Sequence, residues 1–148
     1  MQDPLFGVGF SGSFVDFPKG PRMSRPLLRQ ESYYNLLDAV AAEIDGFMGG
    51  SVVDLDTNTS LASLSNTANF DLNVASAYNA EMVKAKFKTI NAMGLNSEMI
   101  DMVVNLTDQI HFIKLIDESR FAYVAVARGG SSVQEIRDIV TGGIREYI

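Results

Sequence analysis

The sequence LNVASAYNAEMVKAKFKTINAM, at residues 72–93, is the stretch that decides the fold. It predicts one long helix, because Asp71 can cap its start and Gly94 its end. At about 1.5 Å per residue, this helix should be about 30 Å long. With successive residues about 100° apart, its polar residues gather in an arc of about 80°; they are Asn73, Glu81, Lys84, Lys88 and Asn91. A helix that rests on one sheet needs an apolar stripe only somewhat wider than about 100°, so this helix has more apolar surface than one contact uses.

The apolar residues of this helix form two flanks. One flank consists of Val74, Ala75, Tyr78, Met82, Ala85 and Met93, and the other of Leu72, Val83, Phe87 and Ile90. Either the helix is buried on several sides within its own domain, or one flank packs on the chain's own sheet while the other contacts a second protein. That second protein can be another copy of the chain. Both flanks remain candidates for the outward surface.

Composition limits the protein to a few classes. A chain of 148 residues that is 47% hydrophobic fits one globular domain. The net charge of −6 and the absence of any basic run argue against nucleic acid or an anionic membrane as a partner. The absence of cysteine excludes disulfides and thiolate metal sites and suits a cytoplasmic protein. No apolar run reaches the length of about 18 residues that a membrane span needs, and the N-terminus does not resemble a signal peptide.

The chain before the long helix predicts an arm, a helix and a hairpin. Residues 1–31 contain all four prolines and four phenylalanines, which predicts a flexible or extended arm, although a leader before Met23 is an equal alternative. Apolar residues at helical spacing predict a helix over residues 33–48, capped by Ser32 and ended by Gly49 and Gly50. Two short alternating segments, residues 51–56 and 60–65, then predict a hairpin.

Three further strands and a last helix follow the long helix. Alternating segments at residues 100–106, 110–116 and 121–127 are joined by turns too short for crossovers, so they predict an antiparallel meander. Ser132 and Glu135 predict a capping box for a final helix that ends at Gly142 and Gly143. The order α-β-β-α-β-β-β-α predicts an α+β domain over residues 32–148 with a single five-stranded antiparallel sheet. We expect the long helix on one face, the two terminal helices on the other, and the strand at 100–106 at an edge.

The sequence gives little indication of catalysis. The single histidine, His111, has no partner at a recognisable spacing, so a structural or surface role is the better interpretation. Asp54 and Asp56 run into a turn, where Asp is common for local hydrogen bonding. The Gly129-Gly130-Ser131-Ser132 segment precedes a helix but lacks the glycine spacing and lysine of a phosphate-binding loop. We therefore predict no catalytic residue, no cofactor and no metal.

Two segments of the sequence resemble the Roadblock/dynein light chain family. They are VVDLDTNTSLASLS, at residues 52–65, and FIKLIDESRFAYVAVARGGSSVQEIRDIV, at residues 112–140, which surround the long central helix. The similarity covers residues 33–140 and is closest in the hairpin and in the strand, Arg128 and helix that close the domain.

This resemblance implies a profilin-like fold without catalytic residues of its own. Family members form homodimers or heterodimers in which the strands that open the meander pair and the long helices pack together. Such dimers regulate or support small Ras-like GTPases, or serve as adaptor subunits of motor and signalling complexes, and any GTP would belong to the partner. The residues that we expect at such an interface are Asn79, Val83, Lys86, Phe87, Ile90, Met102 and Val104.

The leading hypothesis is a non-enzymatic homodimer that binds a small Ras-like GTPase and regulates it or localises it. The alternative is a small-molecule sensor domain of the PAS or GAF type, which also packs helices on a five-stranded antiparallel sheet. A sensor would need a cavity of several hundred cubic ångströms with a few convergent polar groups. An enzyme that uses His111 is the third interpretation.

Overall fold

The computed structural model describes residues 25–148, which form three helices and five strands. In chain order they are α1 (Arg25–Glu43), β1 (Phe47–Asp54), β2 (Thr59–Ser65), α2 (Leu72–Ala92), β3 (Asp101–Asn105), β4 (Gln109–Leu115), β5 (Arg120–Ala127) and α3 (Val133–Tyr147). This is the predicted order of elements, and the limits of the long helix and of the last three strands agree with the prediction within one or two residues.

The five strands form one antiparallel sheet in the order β2-β1-β5-β4-β3. One face packs against α1 and α3, and its core includes Leu36, Val52, Phe112, Val124 and Ile136. The other face packs against α2, and its core includes Val53, Val83, Ile113, Phe121 and Tyr123. The predicted α+β class is therefore confirmed, with one helix on one face and two on the other, and β3 lies at an edge as expected.

The limits predicted for the first helix are wrong. The described part of the helix already includes Arg25, seven residues before the predicted Ser32 cap. It ends at Glu43, and the chain turns into β1 through Gly46 at φ +85°. Residues 25–31, which were assigned to the arm, are thus helical. The rest of the predicted arm, residues 1–24, lies outside the described residues.

Two glycine pairs predicted to end helices lie inside elements instead. Gly50 is in β1, where a Cβ would lie 2.9 Å from the backbone oxygen of Tyr123 on β5. Gly143 is in α3, where a Cβ would lie 2.7 Å from Leu36 Cδ1 on α1. Each glycine therefore permits a close approach between two elements, which a sequence pattern read along the chain does not distinguish from a helix end.

The predicted caps of the other two helices are confirmed. The Asp71 side chain accepts hydrogen bonds from the backbone N–H groups of Asn73 and Val74 at the start of α2. Gly94 follows the end of α2 at φ +68°. Ser132 and Glu135 form the capping box of α3, with hydrogen bonds of 2.8 and 3.1 Å. These local signals fix where α2 and α3 begin.

Candidate interaction surface

Helix α2 is held on the β1–β2 side of the sheet by two sets of polar contacts. Under the helix, the buried Ser76 hydroxyl lies 3.0 Å from the Ser51 hydroxyl and 2.8 Å from the Ser60 hydroxyl. At the hairpin turn, Asn58 adopts φ +58° and bonds both Glu81 and Lys84. The hydrogen bond from Asn58 and the charge of Lys84 lower the pKa of Glu81. These contacts fix the rotation of α2 about its own axis.

That rotation decides which flank of α2 faces outward. Tyr78 is 74% exposed, Met93 65% and Val74 51%, so the flank that contains Tyr78 is the outward one. Val83 is 0% exposed and packs on the sheet, together with the partly buried Phe87. The expectation that Val83 lies at an interface is therefore wrong, because its side chain is already buried within the chain.

The other predicted interface residues are exposed or half-buried in the single chain. Lys86 is exposed, while Asn79, Phe87 and Ile90 are half-buried on α2. Met102 and Val104 are half-buried on β3. They pair with Ile113 and His111 on β4, so they face the same side of the sheet as α2. Because α2 contacts mainly β1 and β2, this part of the sheet face is less covered by the chain's own helix.

Strand β3 pairs with β4 on one side and has no strand on its other side in the described part of the chain. The hydrogen bonds from Leu106 N to Gln109 O and from Leu115 N to Ile100 O show that even-numbered residues direct their backbone groups toward β4. The N–H and C=O of Val103, at the centre of β3, therefore point away from the sheet. Arg137 on α3 holds the strand in place through Asp101, at 2.9 Å.

The single histidine lies beside this edge. His111 Nε2 is 2.8 Å from Gln109 Oε1, and Nδ1 is 3.4 Å from the Tyr123 hydroxyl. The two rings stack edge to face with centroids 5.5 Å apart. Burial lowers the pKa of His111 and raises the pKa of Tyr123 to about 12. Both groups are therefore neutral near pH 7, and no carboxylate forms a hydrogen bond with the imidazole among the described residues.

The other residues considered for chemistry have local structural roles. Asp54 Oδ1 accepts a hydrogen bond from the backbone N–H of Asp56 at 2.7 Å, as expected for a turn. Gly129 adopts φ +98°, and Gly130 approaches the backbone of Asp45 too closely for a Cβ. Within residues 25–148, no group of three or more His, Asp or Glu side chains is placed to hold a metal ion. Across the same residues, no helix combines the length and the apolar composition of a membrane span.

No protein-family model matches the sequence, and no curated protein matches it either. Solved structures do match. MglB of Myxococcus xanthus is 14% identical over 90% of this chain and 90% of its own, at a TM-score of 0.66. A Roadblock/LC7 domain of Streptomyces avermitilis is 12% identical over 76% of this chain and 93% of its own, at 0.61. An MglB structure with a tetrameric arrangement is 11% identical over 89% of this chain and 94% of its own, at a TM-score of 0.70.

The chain has the Roadblock/LC7 fold. The outward flank of α2 in this Roadblock/LC7 fold contains Val74 and Tyr78, which were not among the predicted interface residues. A signal for the correct rotation was present in the sequence. Ser76 and Ala80 are small and share one stripe with Leu72 and Val83, and all four are buried. Small residues in an apolar stripe let a helix approach a sheet closely, so this stripe marks the face that packs inward.

Proposed function

We propose that this protein is a non-enzymatic homodimer that binds a small Ras-like GTPase and regulates it or localises it. The observation that carries the proposal is the open edge of β3, and the outward apolar flank of α2 supports it. In the proposed dimer the two β3 strands pair antiparallel, and the two sheets become one. The Tyr78 flanks of the two α2 helices then meet on one face of the joined sheet.

Several features support a second copy as the first partner. β3 has the apolar side chains Met102 and Val104 on the α2 side, and both are only half-buried within the chain. Exposed edges of this kind pair readily with another strand. A two-fold axis beside β3 would present the same surface to itself, which is the commonest symmetry of soluble oligomers. One similar MglB structure has a tetrameric arrangement, which is consistent with self-association of this fold.

The GTPase part of the proposal depends on the Roadblock resemblance and on the form of the dimer surface. The sequence contains no nucleotide-binding motif, so the nucleotide would be bound by the partner. Two adjacent α2 helices on one joined sheet form a rigid surface. A rigid surface that fits one conformation of the partner's switch segments shifts the partner's population toward that conformation. This protein would then change the rate of GTP hydrolysis or nucleotide exchange without supplying a catalytic group.

Self-association is tested with Tyr78→Asp, because the charge would lie in the apolar contact between the two α2 helices. Tyr34→Asp is the matched control, since Tyr34 is an aromatic residue that is 42% exposed on α1, on the opposite face. We expect sedimentation equilibrium to give a dimer for the wild type and Tyr34→Asp, and a monomer for Tyr78→Asp. A wild-type monomer at tens of micromolar would contradict the dimer.

GTPase binding is tested with purified Ras-like GTPases from the same organism, each loaded with GDP or with a GTP analogue. We expect one of them to bind the wild-type chain in one nucleotide state and to change its hydrolysis or exchange rate. Tyr78→Asp should abolish both effects, and Tyr34→Asp should keep them. A stable dimer that binds no GTPase in either state would leave self-association standing and contradict the GTPase function.

The structure does not favour the sensor alternative. A groove of about 210 Å³ lies at the surface between α1 and α3, lined by residues that include Val40, Ile139 and Gly143. This volume is below the range of about 300–1,000 Å³ that is usual for ligand sites. Between the sheet and the helices, the large side chains of Phe112, Phe121 and Tyr123 are fully buried. The core on both faces of the sheet is thus occupied by the protein's own side chains.

A further inference from the structure

His111 occupies the position on the sheet that the proposed dimer would cover. It pairs with Val104 on the edge strand β3 and with Ala125 on β5. Ala125 belongs to the core under α2, so the imidazole faces the α2 side of the sheet. The chain's own helix leaves His111 only half-buried. A second chain that pairs through β3 would bring its α2 helix over this region and bury the imidazole further.

A chain of hydrogen bonds fixes which form of His111 the fold accepts. The Gln109 Oε1 atom can only accept, so His111 Nε2 carries the proton and donates to it at 2.8 Å. His111 Nδ1 then has a lone pair, and it accepts from the Tyr123 hydroxyl at 3.4 Å. The Asn79 amide also lies close to the Tyr123 hydroxyl. Its buried Nδ2 atom has no hydrogen bond of normal geometry among the described residues.

Protonation of His111 reverses the direction of the hydrogen bond between its ring and Tyr123. A proton on Nδ1 makes both ring nitrogens donors, so Nδ1–H points at the Tyr123 oxygen. The Tyr123 hydrogen then loses its acceptor, and the nearby Asn79 nitrogen is itself a donor. A buried donor without an acceptor is unfavourable. The neutral imidazole therefore fits the site better than the charged one.

Few charges act on His111. The charge of Asp108, in the turn between β3 and β4, favours protonation, but desolvation by burial has the larger effect. The neighbouring strands present Val104 from β3 and Tyr123 from β5 to the imidazole, and both are uncharged. Asn79 on α2, which lies near Tyr123, is uncharged too. Further burial by a second chain would strengthen the dominant effect, which is desolvation.

We propose that His111 makes self-association of this protein pH-dependent, with the neutral imidazole favouring the dimer and protonation weakening it. This inference rests on the proposed homodimer. Burial lowers the pKa of His111 in the single chain, and the dimer would lower that pKa further. The dimer then binds fewer protons than two separate chains. It is most stable at a pH above the lowered pKa of His111 in the single chain, and it weakens as the pH falls below that pKa.

The test uses the fact that the chain has a single histidine, so its NMR titration has one imidazole signal. The titration is run on the full chain at concentrations well below and well above the dimer Kd. We expect a lower pKa in the concentrated sample. Most carboxylates stay ionised from about pH 7.5 to about pH 5.5. A pKa difference of about 0.5 at each of two histidines raises the Kd by about tenfold at most, once the pH is below both pKa values, so we expect a several-fold increase at about pH 5.5. The same pKa at both concentrations would overturn the inference.

Two variants test the role of His111 separately from the existence of the dimer. His111→Gln keeps a polar side chain but does not titrate, so its Kd should not change between the two pH values. Tyr123→Phe removes the hydroxyl that hydrogen-bonds the neutral imidazole, so it should raise the pKa of His111 in the dilute sample. A wild-type monomer at every pH would contradict the proposed function. A wild-type dimer with a Kd that does not depend on pH would contradict only the role of His111.

Discussion

The two edges of the sheet are built differently. At β2, α1 lies against the strand, and Gln30 Nε2 donates to the Leu61 carbonyl oxygen at 3.3 Å. The register between β1 and β2 shifts at Val52 and Val53, and such an irregularity discourages pairing with another strand. At β3, the register with β4 is regular, and no proline or lysine interrupts the strand. One edge is protected by the chain's own residues, and the other is suited to pairing.

This difference shows that β3 is firmly anchored in the sheet although its outer edge is open. Its inner side is well anchored, since Val103 packs on the core shared with α1 and α3, and Arg137 pairs with Asp101. A strand held this firmly keeps a fixed conformation before any partner binds. Preorganisation of that kind lowers the entropic cost of association. The difference between the two edges can therefore be tested by introducing the same substitution into β3 and into β2.

The largest effect is expected from Val103→Pro. The Val103 N–H points away from β4, so proline should remove a hydrogen bond to the partner without breaking one within the sheet. In the proposed dimer a two-fold axis doubles a loss of about 1.4 kcal/mol per hydrogen bond, which would weaken self-association about a hundredfold. Sedimentation equilibrium measures the change in Kd, and circular dichroism checks that the chain is folded.

Ser63→Pro at the other edge is the matched control. The hydrogen bond from Asn66 N to Met48 O shows that even-numbered residues of β2 bond to β1, so the Ser63 N–H also points outward. This variant should keep the dimer Kd of the wild type. Val103→Ala removes side-chain packing at β3 but keeps the backbone N–H, so this variant should keep most of the dimer affinity. If both proline variants weakened the dimer equally, the two edges would not differ as we describe.

A smaller effect is expected from Ser76→Ala, which concerns the attachment of α2 to the protected side of the sheet. Without this hydroxyl, the buried Ser51 hydroxyl and the half-buried Ser60 hydroxyl lose their shared partner. We expect the free energy of unfolding to fall by about 1–2 kcal/mol in urea titrations. Thr89→Ala is the control, because the Thr89 hydroxyl bonds only Ala85 O within the same helix. An equal loss in both variants would mean that the serine contacts do not fix α2.

Sequence patterns predicted most of the fold because the decisive signals are local. The α2 cap at Asp71, the capping box of α3 and the alternation in β3, β4 and β5 each depend on residues close together in the chain. The errors arose where the cause is a contact between distant residues. Gly50 and Gly143 are glycine because Tyr123 and Leu36 approach them, and no local pattern contains that information.

The candidate surface was harder to predict for the same reason. The apolar pattern of α2 shows two flanks, but their roles depend on rotation of the helix over the sheet. Contacts of Asn58 and Ser76 with residues distant in sequence set that rotation. The sequence pattern alone therefore predicts Val83 at an interface, although its side chain is buried. The pairing of His111 with Val104 likewise depends on the register of β3 and β4. The edge position of β3, by contrast, follows from the order of the elements alone.

The smallest effect is expected from Gln30→Ala at the protected edge. The bond to the Leu61 oxygen is 3.3 Å long and exposed, so its loss should change the free energy of unfolding by no more than about 0.5 kcal/mol. Hydrogen exchange at β2 should rise by about twofold, which corresponds to that energy, while the dimer Kd stays unchanged. Contact with α1 and the irregular register should keep this edge closed without the bond. Larger assemblies formed by Gln30→Ala alone would show instead that a single hydrogen bond prevents pairing at β2.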